Sequence, residues 1–388
     1  MLTGYARLKP WQARTALAIL MLGTMFCVGV SLSPLWQGKA ERERRGAGDV
    51  ALYRAEADRI YQGEGYYQAA ATELTARGYP TKSVFNWRTP LPMWLIGKLP
   101  QVEWAKFFLG VLALGLIVIA FEASARDKDS STWVALLCVL LLSGPLLFAV
   151  LDNLFVMPVL WAGVLIGLSI CAYGINRPIL GVMLGIAALF VRELALPYCL
   201  LCTGMAWWHR GVKGKKGMKG EKDMKGVNIS RKQELVGWAL GLCAWLIFYG
   251  WHLWQVSGLI TPNAVAHPHG WIQFGGAGFV LAAAQMNAYL LLLPPWVTAL
   301  YFAASMFGLA GWNTLLGTRT GLTTCLFVMA FAVVGQDFNQ YWGCMIAPLL
   351  CFGVARSPWA FRELWMASEL GTAGQAGHRP KVGHGTRV

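Results

Sequence analysis

Two groups of charged residues stand where this otherwise apolar sequence could carry out chemistry. Asp49 opens a helical pattern at the start of a polar stretch, residues 37–100, which we call the 37–100 segment. Arg192 and Glu193 are neighbours near the middle of a long apolar stretch, residues 179–208. A carboxylate within hydrogen-bond reach can accept a proton, and an arginine can stabilise an oxygen that gains negative charge. These residue types suit proton transfer beside an anion-binding group.

Each candidate also has a purely structural interpretation. Asp49 sits where a helix N-cap should, and Arg192 with Glu193 can form an ion pair that lines a helix bundle. A charge pair inside a membrane is costly, and such pairs are often retained for function. Other polar residues lie beside apolar runs, where they either cap a helix or line a pocket: Asp152, Asp337, Asn339 and Tyr341. The histidines of the H-x-H motif, His267 and His269, could bind a metal ion, but in a Pro-containing loop such a motif is usually only loop.

The composition predicts a membrane protein. Of the 388 residues, 56% are hydrophobic and only 13% are charged, whereas soluble proteins contain about 25% charged residues. The charges are confined to short stretches between long apolar runs, which is typical of a chain solvated by lipid. We therefore predict an all-α, polytopic transmembrane helical bundle that forms a single membrane domain over residues 1–388. The 37–100 segment would be its large first outer loop, with interfacial amphipathic helices.

Apolar run length predicts about ten membrane spans. They are residues 15–36, 104–121, 132–150, 154–173, 179–191, 194–208, 235–254, one span within 279–311, 321–335, and a last one that ends near residue 355. The first span, which follows a basic N-terminus, is interpreted as a retained signal anchor. The charges of Arg192 and Glu193 divide one apolar stretch into two short spans, because a charge pair in the middle of the bilayer is costly.

Basic residues predict the orientation of the bundle. The net charge of +14 comes mainly from a basic loop, residues 209–234, and such loops usually face the cytoplasm. This origin argues against a nucleic-acid partner and for contact with membrane lipid. We expect both termini in the cytoplasm, a flexible cytoplasmic tail over residues 356–388, and a location in the cytoplasmic (inner) membrane. The 37–100 segment nevertheless holds ten Lys and Arg residues. These residues either argue against placing the segment on the outer side or form a surface that attracts phosphate.

The 37–100 segment also carries a resemblance to a known family. It resembles the first outer loop of the GT-C-fold glycosyltransferases through Asp49, Tyr53, Ala57, Gly63, Tyr66, Tyr67 and the Pro-containing aromatic stretch 87–94. The similarity extends to the short spans around residues 191–197 and covers roughly the first 200 residues. Those enzymes move a sugar from a polyprenyl-phosphate carrier at the outer face of the membrane. The resemblance therefore implies a GT-C-like bundle and a lipid-linked sugar donor.

The resemblance also implies roles for single residues. Asp49 would be the general base towards a glycan, lipid or protein acceptor, and Arg192, followed by Arg88, would stabilise the leaving phosphate. Glu193 would orient Arg192 or hold a metal ion or a sugar hydroxyl. The other substrate-binding candidates are Tyr53, Asp152, Asp337, Asn339 and Tyr341. Many relatives have two adjacent acidic residues, but here Gly48 precedes Asp49, which favours a metal-independent reaction. We expect an inverting transfer without a cofactor, and a divalent metal is left open.

Two functions of other classes also stay open at this stage. A transporter or lipid flippase would predict paired discontinuous helices in two related halves. The sequence shows no internal repeat, and its polar candidates map to one face of the predicted bundle. The other alternative is a non-catalytic membrane scaffold that has kept the fold.

Overall fold

Every described part of the chain is helical or irregular. The computed structural model describes residues 3–33, 48–128, 130–151, 153–213, 224–266, 273–335 and 337–373, and these contain no β-strand. This confirms the all-α prediction. The α-helices are α1 Pro10–Leu32, α2 Gly48–Tyr61, α3 Tyr66–Ala76, α4 Leu91–Gly97, α5 Trp104–Arg126, α6 Thr132–Leu146, α7 Pro158–Gly174, α8 Pro178–Val191, α9 Leu196–Lys213, α10 Met224–Ser257, α11 Gly276–Ala284, α12 Ala288–Leu291, α13 Pro295–Ala310, α14 Leu315–Val333 and α15 Ala347–Ala373.

Five helices of the described chain are long and apolar enough to cross a membrane. They are Pro10–Leu32, Trp104–Arg126, Thr132–Ala149, Lys232–Ser257 and Leu315–Val333. A sixth span results if Phe338–Met345 and Ala347–Ser368, which meet at an angle of 61°, cross the membrane as one broken unit. These apolar helices indicate a membrane protein. Three of the ten predicted spans lie in apolar helices of only 14 to 17 residues, α7, α8 and α13, which are short for a span of about 20 residues. The count of ten stays a prediction.

The structure moves two predicted boundaries. Helices α9 and α10 extend into the predicted basic loop 209–234, to Lys213 and from Met224. Helix α15 continues through Ala373, so residues 356–373 of the predicted tail 356–388 lie in a helix. The physical reason is that Arg356 does not end the helix. Its side chain is only 1% exposed, and its guanidinium lies 4.4 Å from the centre of the Trp312 ring, a contact that attracts a cation.

Small residues set the close packing of the bundle. A Cβ atom added at Gly308 in α13 would lie 2.0 Å from the carbonyl oxygen of Gly353 in α15. A Cβ atom at Gly163 in α7 would lie 2.1 Å from the carbonyl oxygen of Cys344. Glycine permits such approaches because it has no side chain, and small residues are typical of helix contacts in membranes. These contacts bring α15 and the 3-10 helix Asp337–Met345 against the rest of the bundle.

A buried ion pair ties α10 to α14. Arg319 of α14 is 2% exposed, and its guanidinium lies 3.0 Å from a carboxylate oxygen of Glu234. It also donates a hydrogen bond to the Cys202 sulfur over 3.2 Å and lies 3.5 Å from the centre of the Tyr173 ring. Because a buried charge needs partners, these contacts account for Arg319 as a structural residue.

The described part of the 37–100 segment, residues 48–100, packs on the bundle. Leu52 and Ile60, on the apolar face of α2, are 3% and 5% exposed. They belong to a hydrophobic core that is continuous with the core of the bundle. Arg54 anchors the outer surface of α2 through an ion pair of 2.6 Å to Glu103, just before α5. The amphipathic pattern of α2 therefore arises from protein contacts.

Candidate active site

Helix α2 presents three polar side chains on one face. Asp49, Tyr53 and Glu56 are four and three residues apart, which places them within about one-sixth of the helix circumference. Tyr53 is 1% and Glu56 is 3% exposed, and Asp49 is partly buried. Asp49 lies inside the first turn of α2, which begins at Gly48, and accepts a hydrogen bond of 2.8 Å from the Tyr79 hydroxyl. Burial and the nearby Asp49 carboxylate both raise the pKa of Tyr79, so this hydroxyl stays a donor.

Arg88 is fixed in front of this face by its own segment and by α2. Its Nε donates to the Tyr53 hydroxyl over 3.1 Å, and its Nη1 donates to the Phe85 carbonyl over 2.8 Å. The Tyr66 hydroxyl of α3 donates to the Arg88 carbonyl over 2.5 Å. The guanidinium is therefore held in one orientation by backbone and side-chain contacts.

Arg192 and Glu193 lie at the break between α8 and α9. Arg192 has an extended backbone, and its side chain is 1% exposed. Its Nη1 lies 3.0 Å from Oε1 of Glu193, and the same oxygen lies 3.8 Å from Nη1 of Arg88. None of the three guanidinium nitrogens of Arg192 has a hydrogen-bond partner among the described residues. Glu193 therefore stands between two cations, one of which keeps unused donors.

The 3-10 helix Asp337–Met345 supplies further polar groups. The Tyr341 hydroxyl is buried and has no hydrogen-bond partner within the described chain, and its electrostatic neighbours are Asp49, Arg88, Tyr53 and Arg192. Asn339 is 1% exposed, and neither atom of its amide group has a partner there. Buried polar groups are normally hydrogen-bonded, so a group without a partner requires an explanation. Bound substrate would supply partners for both side chains.

The structure thus brings six of the predicted residues into one electrostatic neighbourhood. They are Asp49, Tyr53, Arg88, Arg192, Glu193 and Tyr341. Asn339 is buried two residues before Tyr341. Asp152, His267 and His269 lie outside the described residues, as does the side chain of Asp337. Within the described ranges, no group of three or more His, Cys, Asp or Glu side chains could hold a metal ion, and metal participation stays open.

Two residues of this region were not predicted from the sequence. His252 of α10 is 0% exposed; its Nε2 lies 3.1 Å from the Trp87 carbonyl and its Nδ1 lies 3.0 Å from the Tyr67 hydroxyl. Because a carbonyl only accepts, Nε2 carries the proton and Nδ1 accepts from Tyr67. His252 thus fixes the backbone next to Arg88, and nothing in the apolar run around it signals this. Glu56 could have been found from its spacing with Asp49 and Tyr53.

Comparisons with protein-family models, with characterised proteins and with solved structures find no match to this chain.

Proposed function

We propose that this chain is a membrane glycosyltransferase that moves a sugar from a polyprenyl-phosphate-linked donor to an acceptor hydroxyl, with inversion at the anomeric carbon. The observation that carries the proposal is the buried guanidinium of Arg192: its Nε and Nη2 lack hydrogen-bond partners among the described residues, and its Nη1 is engaged by the ion pair with Glu193. A second cation, Arg88, approaches the same carboxylate oxygen of Glu193. An arginine with unused donors beside a second cation suits a phosphate group, which accepts several charge-assisted hydrogen bonds.

Asp49 is the proposed general base. The acceptor hydroxyl gives its proton to the Asp49 carboxylate while its oxygen forms a bond to the anomeric carbon. The bond between that carbon and the phosphate oxygen breaks, and the phosphate leaves with the electron pair. Arg192 and Arg88 stabilise the charge that develops on it. Tyr79 orients Asp49, because its hydroxyl already occupies one carboxylate oxygen at 2.8 Å.

The remaining predicted residues take supporting roles in this proposal. Glu193 keeps Arg88 and Arg192 apart and oriented, since one of its oxygens lies 3.8 Å and 3.0 Å from their respective nitrogens. The Tyr341 hydroxyl and the Asn339 amide provide hydrogen bonds for sugar hydroxyls. The proposed location is the cytoplasmic (inner) membrane, with the 37–100 segment on the outer side and both termini in the cytoplasm.

The substitution Asp49→Asn tests the proposal. The amide oxygen can still accept from Tyr79, so the fold is preserved, but the side chain cannot take a proton. Transfer of radiolabelled sugar from a polyprenyl-phosphate donor in reconstituted vesicles should fall by about 10²–10⁴-fold.

The matched control is Asp58→Asn on the same helix. Asp58 is half exposed and makes an ion pair of 3.5 Å with Arg54, so its loss should leave transfer within about twofold of the original rate. Equal transfer by the Asp49 variant and the unchanged protein would reject the proposal. Movement of the intact lipid-linked sugar across the vesicle membrane, without transfer, would assign the site to a flippase instead.

A further inference from the structure

Glu56 is a buried acid that the reaction described above does not use. Its side chain is 3% exposed, and its Oε2 has no hydrogen-bond partner among the described residues. It lies one helical turn from Tyr53 and two turns from Asp49, on the face of α2 that Arg88 covers. Burial of a carboxyl group without a partner costs folding free energy. A bound molecule that supplies the partner would account for its retention.

The groups around Glu56 determine its charge. The charged groups that act on it are Arg88, Asp49, Glu73 and Arg77, and the hydroxyl groups nearby belong to Tyr53 and Tyr66. Glu73 is already held by Arg59 at 2.6 Å and Arg77 at 3.0 Å. Burial raises the pKa of Glu56 to about 8, with Arg88 opposing and Asp49 reinforcing the rise. At neutral pH the carboxyl group is therefore mostly protonated and can donate a hydrogen bond.

Two carboxyl groups on one helix face thus take opposite roles. Asp49 is partly exposed and accepts a hydrogen bond from Tyr79, which suits a base. Glu56 is buried and protonated, which suits a donor. Paired carboxyl groups, of which one is a base and the other a protonated donor, are a recurring arrangement in enzymes.

We propose that Glu56 belongs to the binding site, and that its protonated carboxyl group donates a hydrogen bond to a phosphate oxygen of the polyprenyl-phosphate carrier, beside Arg88. This inference rests on the proposed function, which supplies the carrier. A phosphate oxygen fits better than a sugar hydroxyl, because a hydroxyl could equally donate to an ionised carboxylate and would require no proton on Glu56. An ionised Glu56 would instead repel the phosphate.

The test measures direct binding of polyprenyl phosphate to the full chain in lipid nanodiscs. Quenching of the fluorescence of its 19 tryptophans reports the binding. If only the protonated form binds, the apparent Kd rises in proportion to the loss of that form. With a pKa of about 8, the Kd should be about tenfold higher at pH 9 than at pH 7. Glu56→Gln keeps a donor that does not titrate, so its Kd should change less than about twofold over this range.

Two controls complete the design. Glu122→Gln removes a surface carboxylate of α5 that pairs with Arg126, and it should keep the pH dependence of the unchanged protein. Polyprenol, which lacks the phosphate, should bind equally at both pH values. An equal loss of polyprenol binding at pH 9 would mean that ionised Glu56 disturbs the fold, and this would overturn the inference even if Glu56→Gln does not fold.

The remaining outcomes separate this inference from the proposed function. A Kd for polyprenyl phosphate that is equal at pH 7 and pH 9, or an unchanged pH dependence in Glu56→Gln, overturns the role of Glu56. A pH dependence of polyprenyl-phosphate binding that disappears in Glu56→Gln supports that role. If the same preparation then transfers no sugar, the glycosyltransferase assignment fails and the phosphate contact of Glu56 stands.

Discussion

The substitution Arg192→Met distinguishes a binding arginine from a structural one. Methionine keeps a long, unbranched side chain in place of the guanidinium, so little volume is lost. The replaced side chain is 1% exposed, and its three nitrogens lack hydrogen-bond partners among the described residues. Burial of a charge whose donors are unused is unfavourable. Removal of the guanidinium gives up its ion pair with Glu193, but it also removes the cost of burying donors without partners, and it deprives the protein of the phosphate contact.

The magnitude follows from the two distances to Glu193. With an effective dielectric constant of 20, the 3.0 Å pair with Arg192 has a gross attraction of about 5.5 kcal/mol. The 3.8 Å pair with Arg88 has about 4.4 kcal/mol. Glu193 is also 21% exposed, so it keeps a cation and some solvent when Arg192 is lost. We expect the free energy of unfolding to fall by less than about 3 kcal/mol, below the cost of about 3–5 kcal/mol for removing one partner of a fully buried pair, while sugar transfer falls by about 10²–10³-fold.

The assay has two parts on the same preparation in nanodiscs. Tryptophan fluorescence monitors thermal unfolding, and sugar transfer is measured separately. Arg126→Met is the matched control. Arg126 is 58% exposed and pairs with Glu122 one turn away at 2.5 Å, so its loss should change stability by less than about 0.5 kcal/mol. A purely structural ion pair predicts a larger loss of stability for Arg192→Met, about 3–5 kcal/mol. That loss, together with normal transfer by the folded fraction, would refute our reasoning.

Two further predictions concern how the site is held. His252→Ala removes the hydrogen bonds to Tyr67 and to the Trp87 carbonyl and should lower the free energy of unfolding by about 2–3 kcal/mol. Hydrogen exchange in α3 should accelerate, and unchanged exchange would contradict the role of His252 in holding this region. Gly308→Ala places a Cβ atom 2.0 Å from the Gly353 carbonyl oxygen, whereas Gly23→Ala meets nothing within 4 Å. The former should lower stability by about 1–3 kcal/mol and the latter should leave it unchanged, as melting temperatures will show.

Several features of this protein follow from the sequence alone. The low fraction of charged residues and the long apolar runs predict an all-α membrane protein, because only helices and closed barrels satisfy backbone polar groups in lipid. The same pattern singles out Arg192 and Glu193, because charges within an apolar run are conspicuous without any knowledge of their neighbours. The roles expected for Asp49 and Arg88 came from the resemblance to the GT-C-fold enzymes.

The length of a helix and the residue at which the last helix ends are harder to predict from the sequence. Arg356 was expected to follow the last span, yet it lies within α15 and under the Trp312 ring. A charge marks the end of an apolar run, but whether it also ends a helix depends on partners that are remote in sequence.

The composition of the candidate site was decided by tertiary structure. Arg88 and Arg192 are 104 positions apart in the sequence, and only the packing of the 37–100 segment against the break between α8 and α9 lets them approach one carboxylate. Glu56 looks like an ordinary surface acid in the sequence, whereas in the fold its burial raises its pKa against the opposing effect of Arg88. His252 acquires a role solely because two donor and acceptor groups from another segment reach its ring. Local sequence determines which groups are present, whereas burial and charge proximity, which depend on the whole fold, determine what those groups can do.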